Sequence, residues 1–240
     1  MTNKAYRYIT ITTMILLLLV GLFAGINYVL HLDRYVVKVN GQGISAEKFK
    51  VYMKIVKKQK EKLAGITRTE DIKKFWTEPV EGLDPVVFAR QEALDSVINL
   101  MIIAQEAKEK GIQSSEIDQT LLRAKLESQG FIKELKDIGI EEQYINDIIR
   151  NLSLRMKLFN SLTKEVVLSD SEFQKILDSN ADVKKAKAQD LERIKMRMHD
   201  SYTEKKRNNF FEQQMTNWKQ KAHIEKNEQL INSINIIDIK

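Results

Sequence analysis

The chain has 240 residues, with 39 Lys and Arg against 33 Asp and Glu, a net charge of +6, 9 glycines and 2 prolines. It has no cysteine, which excludes disulfides, thiolate metal sites, a thiol nucleophile and an acylated lipoprotein cysteine. Scarce Gly and Pro with abundant Lys, Glu, Ile and Leu predict a mainly α-helical protein, and basic residues mixed evenly with acidic ones argue against nucleic acid as a partner.

The first predicted element is a helix that spans a membrane. Residues 8–30 carry no formal charge, and the apolar run is centred on Ile15, Leu16, Leu17, Leu18, Leu19 and Val20. About 20 apolar residues cross the hydrocarbon core of a bilayer as a helix, and Lys4 and Arg7 predict a cytoplasmic N-terminus with the remaining chain outside. A cleaved secretory signal fits less well, because the small residues lie inside the apolar run. We therefore predict a single-pass protein of the cell membrane, with residues 1–34 as cytoplasmic stub and anchor.

A strand, a tight turn and a helix are predicted next. Residues 35–39 form a β-rich run that ends at Asn40-Gly41, a dipeptide that supplies the positive φ of a tight turn. Ser45 is a predicted helix N-cap, and Glu47 complements the dipole in the first turn. The spacing of apolar residues continues this helix to about residue 63. The sequence thus predicts one strand before the first helix.

Helical spacing of apolar residues accounts for most of the remaining chain. The predicted helices cover residues 69–75, 86–108, a short stretch capped by Ser115, 131–136, 141–164, 170–179 and 183–222. A helix of about 40 residues would reach about 60 Å, so the last one is predicted either to kink near residues 199–201 or to project as an arm. Residues 223–226 are predicted to return as a strand, and residues 235–239 to form a second strand or a loose tail.

Several segments in this succession resemble the SurA/PrsA family of extracytoplasmic foldases. They are residues 36–49 at the opening strand, turn and helix, residues 92–112 at a core helix and its exit, residues 168–173, and residues 211–231 at the closing helix and strand. The resemblance implies a SurA N-terminal-like helical chaperone domain over residues 35–180. Residues 181–240 would complete the same domain with a long C-terminal helix and one or two short β-strands.

One departure from the family has consequences for chemistry. In complete foldases of this family a parvulin-type prolyl isomerase of about 90 to 100 residues follows the segment that residues 168–173 resemble. Here residues 180–185 pass directly into the final helix. We therefore expect the chaperone part without its catalytic module, and no enzymatic activity.

No catalytic, cofactor-binding or metal site is predicted from the sequence. Its histidines, His31, His199 and His223, lie far apart, and no phosphate loop, zinc-helix signature or nucleophile elbow occurs. Apolar side chains of the last helix are candidate contacts for unfolded clients, with packing against the core as the alternative for each. These candidates are Tyr202, Phe210, Phe211 and Trp218.

These observations predict a membrane-anchored, extracytoplasmic holdase that binds unfolded or newly exported polypeptides without ATP or covalent chemistry. Two alternatives stay open: a structural adaptor with one fixed protein partner, and a peptidyl-prolyl cis-trans isomerase-like foldase. The expected partners are exported polypeptides and the membrane, with no nucleic acid, and a homodimer is left open. The chaperone assignment depends on the family resemblance, since fold alone does not determine function.

Overall fold

The computed structural model describes residues 35–79, 82, 84–180 and 188–237. In these ranges the chain is mainly helical, as predicted, with a small three-stranded sheet. The strands are β1 Tyr35–Val39, β2 Gln42–Ser45 and β3 Ile224–Lys226. The helices are α1 Ala46–Leu63, α2 Thr69–Thr77, α3 Pro85–Glu109, α4 Glu116–Ser128, α5 Phe131–Asp137, α6 Glu142–Thr163, α7 Asp170–Ser179, α8 Ala188–Lys221 and α9 Glu228–Ser233.

The predicted membrane anchor lies outside the described residues. This applies to the whole of residues 1–34 and therefore to the apolar centre of the anchor, Ile15, Leu16, Leu17, Leu18, Leu19 and Val20. Among the helices that the structure describes, none combines the length and the apolar character needed to cross a bilayer.

The chain divides into two compact units, a division that the sequence analysis did not predict. Unit 1 comprises the described residues of Met1–Val97 and His223–Lys240, and unit 2 comprises Ile98–Ala222. Helix α3 contributes its first part to unit 1 and its second part to unit 2.

The sheet of unit 1 is antiparallel throughout, in the order β2-β1-β3. Asn40 and Gly41 both have positive φ, as the predicted turn requires, and they join β1 to β2. The prediction of one strand before the first helix is wrong, because Gln42–Ser45 pairs with β1 before α1 begins. The predicted returning strand is confirmed: Ile224 pairs with Val39 of β1.

Apolar side chains from three parts of unit 1 form its core: strand β1, which buries Val36, Val37 and Val39, helix α1, and the residues after α9. Helix α1 buries Phe49 and Met53, and the N-cap Ser45 accepts a hydrogen bond from the backbone N–H of Lys48, as predicted. Ile236 is also fully buried. The prediction of a strand or loose tail over residues 235–239 is therefore wrong for the described part, residues 235–237, where residues 236–237 form a turn and Ile236 is buried.

Helix α2 is held in unit 1 by a polar contact in the interior. Trp76 is buried, and its indole Nε1 donates a hydrogen bond of 3.0 Å to the carboxylate of Glu61, which is buried as well. Trp76 is the buried residue of α2, so its indole ring contacts the interior of unit 1 both by packing and by this hydrogen bond.

Unit 2 is organised around α6, which contacts α4, α5 and α8. Ile145, Ile149 and Leu158 are buried along α6. The capping boxes at Ser115 and Ser169 are both present, and they start α4 and α7.

Helix α8 has 34 residues, a length of about 51 Å at 1.5 Å per residue. It runs without interruption through residues 199–201, where the sequence analysis allowed a kink. Its buried side chains, Phe211 and Met215, lie near its C-terminal end. From residue 190 to residue 210 each side chain of α8 keeps some exposure to solvent.

Candidate apolar binding surface

Helix α4 of unit 2 turns its apolar residues to solvent. The side chains of Ile117 and Leu121 are 73% and 67% exposed, and Ala124 is exposed too. These residues stand at positions i, i+4 and i+7, so they share one face of the helix, which we call the α4 stripe. No residue of α4 is buried. An amphipathic helix ordinarily directs such a stripe to the core, and this one presents it outward.

Polar contacts hold α4 on α6 in this orientation. The carboxylate of Asp118 forms an ion pair with Lys157. The guanidinium of Arg123 forms an ion pair with Glu142 and donates a hydrogen bond of 2.8 Å to the side-chain oxygen of Asn146. These contacts lie on either side of the face that α4 turns towards α6, which also carries the half-buried Leu122 and Leu126, so the apolar stripe is left on the surface.

The first turn of α4 is fixed by the same ion pair. The pKa of Asp118 is lowered to about 2, first by the hydrogen bond from the Lys157 ammonium and then by those from Ser115. Asp118 therefore stays ionised through the physiological range and serves both the capping box and the contact with α6.

A pocket of about 250 Å³ lies next to the start of α4. It is lined by the end of α3, the connection to α4 and one side of α6, through Ala104, Lys108, Gly111, Ile112, Gln113, Ser114, Arg150 and Leu154. Ser114 donates a hydrogen bond of 2.7 Å to Ser153, and Lys157 donates one of 3.0 Å to the carbonyl of Gln113. Lys157 therefore bonds both the wall of the pocket and Asp118 of α4, so the two features are neighbours.

The predicted client contacts on α8 differ in their exposure to solvent. Tyr202 and Trp218 are half-buried and stand 16 residues apart, about 24 Å along the helix. Phe210 is half-buried, whereas Phe211 is 1% exposed. The side chain of Phe211 is thus not available to a client in this conformation, and client contact by the other three stays a prediction.

Phe211 lies instead in an aromatic group within unit 2. Its ring meets Phe159 edge-on at 5.4 Å and Trp218 at 6.3 Å between centroids, and the guanidinium of Arg155 lies over it at 5.5 Å. The ammonium of Lys110 lies 5.9 Å from the Trp218 ring. This arrangement agrees with the packing alternative for Phe211.

The described histidines are not brought together. His199 meets the ring of Phe173 edge-on at 5.0 Å in unit 2, and His223 lies in unit 1, where its ring nitrogen is 3.1 Å from Glu225. His31 lies outside the described residues. Across the described part of the chain, no group of three His, Asp or Glu residues is arranged to hold a metal ion.

The sequence predicts α4 as a helix capped by Ser115 but does not mark its apolar stripe as a site. A signal was present in the second pair of apolar residues on α4, Leu122 and Leu126, which are half-buried. They lie on the side of the helix away from Ile117 and Leu121. A helix with two apolar sides can bury only one of them against its own domain, which leaves the other for the surface.

Residues 1–134 match the family model described as SurA-like N-terminal domain. The chain belongs to this family. The predicted SurA/PrsA-type resemblance is therefore confirmed, and α4 with its stripe lies inside the matched segment. The predicted contacts on α8 lie beyond it.

A relative with a curated name is the foldase protein PrsA of Caldanaerobacter subterraneus subsp. tengcongensis, which is 27% identical over 147 residues. The similarity covers 59% of this chain and 41% of the relative, so the chain corresponds to less than half of that protein. No solved structure matches the chain.

Proposed function

We propose that this protein is a membrane-anchored, extracytoplasmic chaperone that holds unfolded or newly exported polypeptides without ATP or covalent chemistry. The observation that carries the proposal is the α4 stripe, an outward apolar surface inside the segment that matches the SurA-like domain. A holdase needs apolar surface that is exposed before the client arrives, and large exposed side chains in a row on one helix meet that need.

The expected affinity of the stripe is low. Full burial of an Ile or Leu side chain is worth about 1.5–3 kcal/mol, so covering the exposed parts of Ile117 and Leu121 contributes about 2–4 kcal/mol. By itself this corresponds to a Kd in the millimolar range or weaker. Such binding is reversible and tolerant of sequence, and tethering to the membrane would raise the effective concentration of chaperone where polypeptides emerge.

Support for the anchor comes from the uncharged run of residues 8–30, with Lys4 and Arg7 before it. Support for a role without catalysis comes from the connection between α7 and α8. Only eight residues, 180–187, separate Ser179 from Ala188, too few for an isomerase module of about 90 to 100 residues at that point.

An aggregation assay tests the holding function. The full-length chain in lipid nanodiscs is mixed with an unfolding model protein, and light scattering is followed. The double variant Ile117→Ser/Leu121→Ser removes the apolar atoms of the stripe. Its control, Leu63→Ser/Val87→Ser, removes the same kinds of atoms from exposed positions of unit 1.

We expect the parent chain and the control variant to suppress aggregation and the stripe variant to lose most of that effect. Equal suppression by both variants would show that α4 is not the holding surface. Absence of suppression by the parent chain would refute the holdase function altogether.

The two alternative functions, a structural adaptor and an isomerase-type foldase, would each give a different experimental result. A structural adaptor would yield one stoichiometric partner after gentle crosslinking of the full-length chain in membranes, whereas a holdase yields a mixture of incompletely folded chains. A foldase of the isomerase type would accelerate proline-limited refolding at substoichiometric amounts, because prolyl isomerisation is slow without catalysis.

A further inference from the structure

The pocket next to α4 combines an apolar lining with two cationic side chains. Among its described lining residues, Ala104, Ile112 and Leu154 are apolar, Lys108 and Arg150 are basic, and none is acidic. Arg150 uses one of its five N–H groups in a 2.8 Å hydrogen bond to Asp147. The edge of the pocket therefore favours anionic groups, while its lining favours hydrocarbon.

The size of the pocket restricts what it can hold. A volume of about 250 Å³ accommodates one large aliphatic or aromatic side chain. Pockets for small-molecule ligands of drug size run from about 300 to 1,000 Å³ and enclose most of the ligand. The dimensions fit a single side chain of a longer, extended ligand.

The α4 stripe begins close to this pocket. Ile117 follows the lining residue Ser114 by three positions, and Lys157 bonds both the pocket wall and the first turn of α4. An extended polypeptide lying on the stripe could therefore place one of its side chains in the pocket.

We propose that the pocket makes the chaperone prefer client segments in which an apolar residue stands next to Asp or Glu. The apolar side chain enters the pocket, and the neighbouring carboxylates pair with Lys108 and Arg150. This inference rests on the proposed function, because it names the class of polypeptide that the surface holds. Basic segments are disfavoured there, since a like charge would lie beside two cations.

Fluorescence anisotropy with two labelled peptides tests the preference. The peptides carry the same apolar residues and differ in their flanks, Glu in one and Lys in the other. They are titrated with the full-length chain in nanodiscs of neutral lipid. Two exposed ion pairs together should make the acidic peptide bind about fivefold more tightly than the basic one, and high salt should abolish this difference in affinity.

A pair of charge-reversal variants separates the pocket from the net charge of +6. Lys108→Glu/Arg150→Glu alters the pocket, and Lys133→Glu/Lys175→Glu makes the same change of net charge elsewhere in unit 2. The control is matched, because Lys133 pairs with Asp137 on the surface as Arg150 pairs with Asp147. We expect the preference for the acidic peptide to disappear in the pocket variant and to persist in the control.

Filling the pocket gives a test that leaves its charges in place. Ala104→Phe should weaken binding of the acidic peptide several-fold, because the side chain would occupy the space that the peptide needs. Equal loss of preference in both charge variants, or unchanged binding by Ala104→Phe, would overturn the pocket as the site. Equal affinity for the two peptides in a chain that suppresses aggregation would refute the inference alone. If neither peptide binds and the chain does not suppress aggregation, both this inference and the proposed function are refuted.

Discussion

Replacing Phe211 by alanine should lower the free energy of unfolding of unit 2 by about 4 kcal/mol. The ring is 1% exposed and packs edge-on against Phe159 and Trp218. A phenylalanine buries at least about 150 Å², which at about 25 cal/mol per Å² is worth about 4 kcal/mol. This value agrees with the cost of about 3–5 kcal/mol for removing a buried phenylalanine from a protein core.

Phe210 supplies a matched control, because it is the same residue type one position away on α8 and is half-buried. Phe210→Ala should cost about 1–2 kcal/mol, in proportion to its smaller buried area. Both variants are compared by urea unfolding of the full-length chain in a Trp76→Phe background. Trp218 is then the remaining tryptophan, since the chain has 2, and it reports on unit 2.

The comparison also decides the role of Phe211. If Phe211 contacts clients instead of packing the core, Phe211→Ala should weaken peptide binding and leave stability close to that of Phe210→Ala. A difference in the free energy of unfolding below about 1 kcal/mol between the two variants would contradict the packing argument.

Two further predictions concern pH and the interior of unit 1. The pKa values of Asp118 and Glu172 are lowered to about 2, mainly by hydrogen bonds from lysine ammonium groups. Ionisation of these two carboxylates therefore stabilises the folded state at pH values above the ordinary pKa of Asp and Glu. Stability should therefore fall as the pH drops from about 5 towards 2, and Asp118→Asn should flatten this dependence in urea unfolding at a series of pH values. Trp76→Phe leaves the buried Glu61 carboxylate without its indole donor and should cost about 1–3 kcal/mol. Adding Glu61→Met should recover part of that loss, and circular dichroism during urea unfolding would detect a failure to do so.

Features set by residues a few positions apart could be predicted from the sequence. The turn at Asn40-Gly41 and the helix starts at Ser115 and Ser169 depend on contacts within four residues, and all are present. Strand β2 was missed although its partner is near in sequence, because the residues themselves give only a weak signal. Gln42–Ser45 has little β-propensity of its own, and it becomes a strand by pairing with β1.

The side of a helix that faces the interior is harder to predict from the sequence. Phe210 and Phe211 are neighbours, and residue type does not distinguish them. Helical spacing does, since Phe211 aligns with Met215 and both are buried. For α4 the spacing gives no answer, because apolar residues lie on two sides and the choice depends on the polar contacts of Arg123 and Asp118 with α6.

Under the proposed function, the connection between α7 and α8 is the point at which holding and isomerisation would be physically separate. Two contacts attach the first turn of α7 to α8. The Lys206 ammonium donates a hydrogen bond to the carboxylate of Glu172, and the ring of Phe173 packs edge-on against the ring of His199. Lengthening the eight-residue connection to about 100 residues adds only about 2 kcal/mol of loop entropy, because the cost grows with the logarithm of length. The helices on either side can therefore keep their packing with or without an inserted module. The α4 stripe belongs to a different part of unit 2, so a holding surface there does not depend on what this connection carries.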